Sequence, residues 1–243
     1  MPYRRLPTTD KARLRALVKC HEHTKNNTSG IHPISEASLT SLKTILPRFH
    51  QAITNFDAAK NNQVEKNKKY LDLQRKARIY VSHFIQVINM AIARGELKPE
   101  IREFYGLCDF GNTLPPLNAE KELIDWGKKI IDGDQKRIQH GGSPIYNPSI
   151  ALVRVNYEKY LDVYHFQKTL QSTTERSSSQ VNQLRSDVDK LIQAIWNEIE
   201  EYFSALPDLQ KREKSTTYGI VYVYRKSEMK KIEARKLQPE FNF

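Results

Sequence analysis

The chain has 243 residues, of which 39% are hydrophobic and 28% charged, and a formal net charge of +11. Leu, Ile, Val and Phe make up about a quarter of it, enough for a packed core and too much for a disordered chain. Two cysteines exclude a disulfide framework, no apolar run reaches the roughly 20 residues of a membrane span, and Met1-Pro-Tyr-Arg-Arg lacks the apolar stretch of a secretion signal.

Residues 10–24 read as a short amphipathic helix. Leu14, Leu17, Val18 and His21 share one face, with Lys11, Arg15, Lys19 and Glu22 on the next. Thr8, Thr9 or Asp10 can cap it, each offering an oxygen to the free N–H groups of the first turn. Asn26 to Gly30 then reads as a loop. From Ser35 to Gly95 the period is helical: Leu42, Leu46, Phe49, Ile53 and Phe56, then Leu73, Ala77, Val81, Phe84, Ile88 and Ala91. Pro47 is expected to kink or restart this run, and Asn61-Asn62 to hinge it.

Lys98-Pro99-Glu100 can start a short helix, with proline at a first-turn position where its missing N–H costs nothing. Residues 108–118 read as irregular. Asn118 can cap a helix striped by Leu123, Trp126, Ile130 and Ile138, which His140-Gly141-Gly142-Ser143-Pro144 stops. Asn147-Pro148 is a cap and first-position pair for a long helix to about Thr173, striped by Val153, Tyr157, Tyr160, Leu161 and Tyr164. Thr173 to Ser179 is polar and hinge-like. Leu184, Val188, Leu191, Ile192, Ile195 and Ile199 then carry a last long helix to Leu206-Pro207. Tyr218 to Tyr224 is the one strand signal.

The expected fold is therefore all-α: a long-helix up-and-down bundle of two antiparallel helix pairs with a short C-terminal extended segment. Its parts are a basic arm with a short helix (1–30), helix pair 1 (35–107), a linker and crossover helix (108–145), helix pair 2 (146–210) and a basic tail with a short strand (211–243). Residues 35–220 are expected to form one folded unit. A shift of 111 residues superposes the stripe from Leu42 on that from Val153, and the stripe from Leu73 on that from Leu184. A shift of 113 aligns Tyr105-Gly106-Leu107 with Tyr218-Gly219-Ile220. An internal duplication predicts that these two Tyr-Gly segments occupy equivalent ends.

The stretches Met1-Pro-Tyr-Arg-Arg-Leu-Pro, Thr113-Leu-Pro-Pro-Leu, Trp126-Gly-Lys-Lys-Ile-Ile, Gly142-Ser-Pro-Ile-Tyr-Asn-Pro-Ser-Ile and Tyr218-Gly-Ile-Val-Tyr resemble a group of uncharacterised helical-bundle proteins of Bacteroidetes bacteria. The resemblance implies a helical fold and a bacterial cytoplasmic setting, and it transfers no activity.

The positive charge lies at the ends. Residues 1–30 carry 7 Lys+Arg against 2 Asp+Glu, residues 211–243 carry 9 against 4, and the body between them is close to neutral. Were the ends to meet, Arg4, Arg5, Lys11, Arg13 and Arg15 would join Arg225, Lys226, Lys230 and Lys231 in one patch suited to a polyanion or an acidic protein surface. No metal, phosphate-loop or nucleophile motif occurs. A lone Asp162-x-x-His165 falls short of a di-iron set, which leaves His83, Asp162 and His165 as the only enzyme candidates. Tyr157, Tyr160 and Tyr164, on one face, read as core in preference to a stacking platform. The expectation is a non-enzymatic interaction scaffold with a protein partner, no cofactor and no membrane; the alternative is nucleic-acid binding through the basic termini.

Overall fold

The structure, a computed structural model, describes residues 2–26, 33–225 and 228. It is an all-α helical bundle. Among the described residues the α-helices are α1 (Asp10–Asn26), α2 (Glu36–Ala93), α3 (Arg102–Tyr105), α4 (Glu120–Gln139), α5 (Ile150–Tyr202) and α6 (Asp208–Thr217). Two-residue strands β1 (Tyr3–Arg4) and β2 (Tyr222–Val223) pair antiparallel, and short 3-10 turns flank α3.

The expected breaks in the long helices are absent. Pro47 sits inside the 58-residue α2, Asn61-Asn62 continue it, and Thr173 to Ser179 lie within the 53-residue α5. Tertiary packing overrides local preference here. Leu42 and Phe49, both fully buried, bracket Pro47 and hold both sides of it to the core. In α5 the hydroxyls of Thr173 and Thr174 donate back to the carbonyls of Thr169 and Leu170, at 2.9 and 3.0 Å, so these two side chains bond within the helix. Some ends also differ from expectation. Thr9 does cap α1, its hydroxyl accepting the Ala12 N–H at 3.2 Å. At the start of α5 it is Ser149, two residues beyond Asn147, whose carbonyl accepts the first N–H groups. Ile138 is 40% exposed; the last turns of α4 bury Asp134 and Arg137 instead. Tyr218 caps α6 and is not part of a strand.

The chain forms two compact units, Met1–Ala58 with Glu175–Phe243, and Ala59–Thr174. They cut across the expected helix pairs, because each unit joins the first part of one long helix to the last part of the other. In unit 1, Leu42, Phe49 and Ile53 of α2 pack with Val188, Ile192, Trp196 and Ile199 of α5, and with Leu17 and Cys20 of α1. The two stretches run antiparallel. Glu198 accepts from the Ser35 N–H (2.8 Å) and from the Ser35 and Ser38 hydroxyls (3.0 and 2.8 Å), placing a carboxylate at the positive end of α2. Burial, with the Glu198 charge adding to it, pushes the Cys20 thiol up to about 12.

In unit 2, Ala77, Val81, Phe84 and Ile88 of α2 pack with Val153, Tyr157 and Tyr160 of α5 and with Leu123, Trp126 and Ile130 of α4. Gly127 of α4 is needed for this approach, since a Cβ there would stand 2.4 Å from the Tyr157 ring. The tyrosine stripe is core: Tyr157 and Tyr160 are buried, and Tyr157 donates to the Ile124 carbonyl at 2.9 Å.

Several buried positions of the two units match at a fixed shift. At the shift of 111, buried Leu42 matches Val153, Phe49 matches Tyr160, Ala77 matches Val188, Val81 matches Ile192 and Ile88 matches Ile199. A short helix precedes each long one, and at a shift of 110 buried Ala16, Leu17, Cys20 and Thr24 of α1 match buried Trp126, Gly127, Ile130 and Asp134 of α4. After each long helix a Tyr-Gly pair ends a short helix. Tyr105 and Tyr218 are buried, Gly106 and Gly219 have φ of 67° and 95°, and Leu107 and Ile220 are each 1% exposed. Tyr105 packs on α4, and Tyr218 packs on His23 of α1.

Candidate functional site

The β1–β2 pair decides where the charged ends go. Tyr3 faces Val223, Arg4 faces Tyr222, and the Arg5 N–H donates to the Val221 carbonyl at 2.9 Å. Residues 3–5 and 221–223 therefore lie side by side on unit 1. Lys226, Lys230 and Lys231 fall outside the described residues; Arg225 is exposed.

Meeting is not the same as being free to bind, and several of these cations are already spent. The Arg4 guanidinium donates to Asn197 Oδ1 at 2.8 Å and Glu200 Oε2 at 3.0 Å, and lies 6.0 Å from the Trp196 ring centroid. Tyr222 donates to the other Glu200 oxygen at 2.6 Å; burial, then that carboxylate, pushes its phenol up to about 12. Arg4 thus fastens the strand pair to α5. Arg13 fastens α1 to the same helix by a two-pronged contact to Asp189, at 2.7 and 2.9 Å. In return Arg185 of α5 grips Asp10 at 2.8 and 2.6 Å. The Arg185 hydrogen bonds and charge, with Arg13 adding to them, hold the Asp10 carboxyl below its usual range despite partial burial. Lys11 reaches Asp57 at 3.6 Å across exposed side chains, a weak pair.

Arg5, Arg15 and Lys19 remain. They are exposed and form no ion pair with any described residue. All three line one cavity of about 380 Å³ between the N-terminal arm and α1, whose walls include Leu6, Pro7, Ala12, Trp196 and Val221. Among the described residues no carboxylate lines it. Gly219 sets its depth. With φ at 95°, and the Ala16 carbonyl 2.9 Å from where a Cβ would be, only glycine lets this turn close onto α1. No protein-family model matches the chain, and the search of curated proteins and of solved structures finds no match.

Chemically the cavity has an apolar wall and a cationic rim, so it suits an anion that carries an apolar group. Lys19 was legible only as one of a charged helix face; its place at the rim follows from the strand pair. The other candidates do not assemble comparably. His83, Asp162 and His165 are each exposed, and among the described residues no group of three His, Cys, Asp or Glu side chains could hold a metal. Among those residues, too, no helix is long and apolar enough to cross a membrane.

Proposed function

We propose that the protein is a non-enzymatic helical-bundle scaffold that captures acidic protein segments at the joined termini of unit 1. One observation carries this reading: three cations without an ion pair to any described residue, Arg5, Arg15 and Lys19, line one apolar-walled cavity. An acidic peptide can place an apolar side chain against Leu6, Pro7 and Val221 while its carboxylates meet Arg5, Arg15 and Lys19. A phosphodiester backbone needs a line of free cations, and Arg4 and Arg13 are withdrawn from such a line. The resemblance supplies the setting, the bacterial cytoplasm. The matched burial, the matched short helices and the two Tyr-Gly turns support reading the chain as an internal duplication whose halves exchange their long-helix ends.

The second reading, nucleic-acid binding, draws on the same strand pair, which sets the basic N-terminal arm beside residues 221–223. One titration separates the two. A labelled Glu-rich peptide with a central aromatic residue, duplex and single-stranded DNA, and RNA are each titrated at low salt and near 150 mM, about physiological ionic strength. The scaffold reading expects peptide binding that persists at the higher salt and is lost in Arg5→Glu/Arg15→Glu/Lys19→Glu, with nucleic acid released. Sub-micromolar DNA or RNA binding near 150 mM salt, lost in the same variant, would establish the second reading instead.

A further inference from the structure

In unit 2, α2 turns one face away from its core. Val64, Leu71 and Ile79 are 66%, 48% and 42% exposed. Lys68 and Arg75, also exposed, stand between them. The spacings along this line are four, three, four and four, so at 100° per residue the five side chains follow one stripe, opposite Ala77, Val81, Phe84 and Ile88. Neither Lys68 nor Arg75 pairs with a described residue, and the surrounding stretch is strongly basic: residues 60–78 hold 7 Lys+Arg against 2 Asp+Glu.

The other long helix supplies an internal control. At the same shift of 111 that matches the buried stripes, the corresponding residues of α5 are Glu175, Ser179, Asn182, Ser186 and Lys190. All five are exposed, and none is apolar. A helix with this core phase therefore folds with a fully polar back. Three aliphatic residues on the back of α2 leave 42–66% of their surface in water, and two of them, Val and Ile, are weaker helix formers than the straight-chain residues available.

We propose that the Val64–Ile79 line of α2 docks a partner helix whose apolar seam is flanked by Asp and Glu. Val64, Leu71 and Ile79 stand seven and eight residues apart, close to the heptad spacing at which one side of a helix meets a partner helix, with Lys68 and Arg75 between them. The free cations of the line fix the sign of the partner's flanking charge, because like charges placed there would repel. A seam of three aliphatic side chains is small, which fits a reversible complex. The line carries no aromatic residue and is too narrow for the broad apolar face with which a helix lies in a lipid surface. This surface shares no residue with the cavity of unit 1, so the two assignments stand or fall separately.

The test uses the full chain and a labelled synthetic helix of three heptads, with Leu at the seam and Glu beside it. A twin peptide with Lys beside the seam, and vesicles of neutral and of anionic phospholipid, serve as controls. Leu71→Asn/Ile79→Lys copies the α5 residues onto α2, and Lys68→Ser/Arg75→Ser removes the charges; helicity by circular dichroism checks that both variants fold. The expected result is micromolar binding of the Glu peptide, weakened at least tenfold by Leu71→Asn/Ile79→Lys. The Lys68→Ser/Arg75→Ser variant loses affinity and salt dependence together; all are measured in the Arg5→Glu/Arg15→Glu/Lys19→Glu background, which keeps the acidic peptide out of the cavity of unit 1. Absence of binding, equal binding of the Lys peptide, or full affinity in Leu71→Asn/Ile79→Lys overturns the proposal. Binding to anionic vesicles that is lost in that variant also overturns it, assigning the face to a membrane surface.

Discussion

Tyr105 and Tyr218 occupy matched places in the two units, yet they are held by different chemistry. Tyr105 lies against Gly133 of α4 and donates to Asp134 at 2.7 Å; Arg137 in turn donates to the Tyr105 oxygen at 2.8 Å and to Asp134 at 2.8 Å. Asp134 and Arg137 are 0% and 2% exposed. Tyr218 meets the His23 ring edge-on at 4.2 Å and packs by Phe203. At the shift of 110, His23 replaces Gly133 and Thr24 replaces Asp134. One backbone plan is thus closed by a buried ion pair in unit 2 and by aromatic packing in unit 1. A buried pair costs more when broken than it contributes when whole, because the surviving charge is stranded in a medium that cannot solvate it. Unit 2 is therefore the more brittle at this joint.

The largest effect should follow Asp134→Ala, which strands the Arg137 charge: about 3–5 kcal/mol of destabilisation. His23→Ala in unit 1 should cost roughly 1 kcal/mol for one lost aromatic contact. Urea unfolding can follow each unit separately, since Trp126 belongs to unit 2 and Trp196 to unit 1; Trp196→Phe and Trp126→Phe leave one reporter each. Equal losses for Asp134→Ala and His23→Ala would break the comparison.

Next come the glycines. A Cβ at Gly133 would stand 2.4 Å from the Phe104 carbonyl oxygen, so Gly133→Ala should cost about 1–3 kcal/mol through forced movement of α3. Gly219→Ala meets both the left-handed backbone and the Ala16 carbonyl, at a similar or slightly smaller cost of about 1–2 kcal/mol. It should also open the cavity of unit 1, read as weaker binding of the acidic peptide. Tyr105→Phe sharpens the contrast further. It removes a hydroxyl bonded to both members of the ion pair and should cost about 1–3 kcal/mol.

The smallest effect concerns pH. The folded state lowers the Asp10 pKa, so its pairing with Arg185 contributes stability at neutral pH. That contribution is lost as the pH falls below about 4 through the lowered value, where the carboxyl protonates in the folded protein. Asp10→Asn should therefore shift the urea midpoint at pH 7 and leave it closer to wild type near pH 3. A constant difference across that range would show that the Arg185 contact does not depend on the Asp10 charge.

The helices were legible because their apolar stripes keep one period for long distances. What the period cannot say is which stripes meet. The stretches after Leu42 and Leu73 could pair with each other or with their counterparts in α5, and both arrangements bury the same residues. Thr173 to Ser179 reads as a hinge because serine and threonine compete with helix formation, yet the Thr173 and Thr174 hydroxyls bond within the helix. Helix α6 carries one aliphatic residue, Leu209, and β1 is two residues long; neither leaves a periodic trace. At the candidate site, the meeting of the termini was a conditional expectation. The loss of Arg4 and Arg13 to internal pairs was invisible, since Glu200 and Asp189 lie 196 and 176 residues away. The basic stretch 60–78 was hidden by averaging charge over the whole body, and a window of 19 residues would have exposed it.

On the proposed reading, unit 1 binds acidic protein at the cavity between the N-terminal arm and α1. Hydrogen exchange of the full chain, with and without the Glu-rich aromatic peptide, tests it most directly. The claim predicts slowed exchange in residues 5–19 and 219–221, absent in Arg5→Glu/Arg15→Glu/Lys19→Glu. Unchanged exchange in those segments, or protection confined to other parts of the chain, would contradict it.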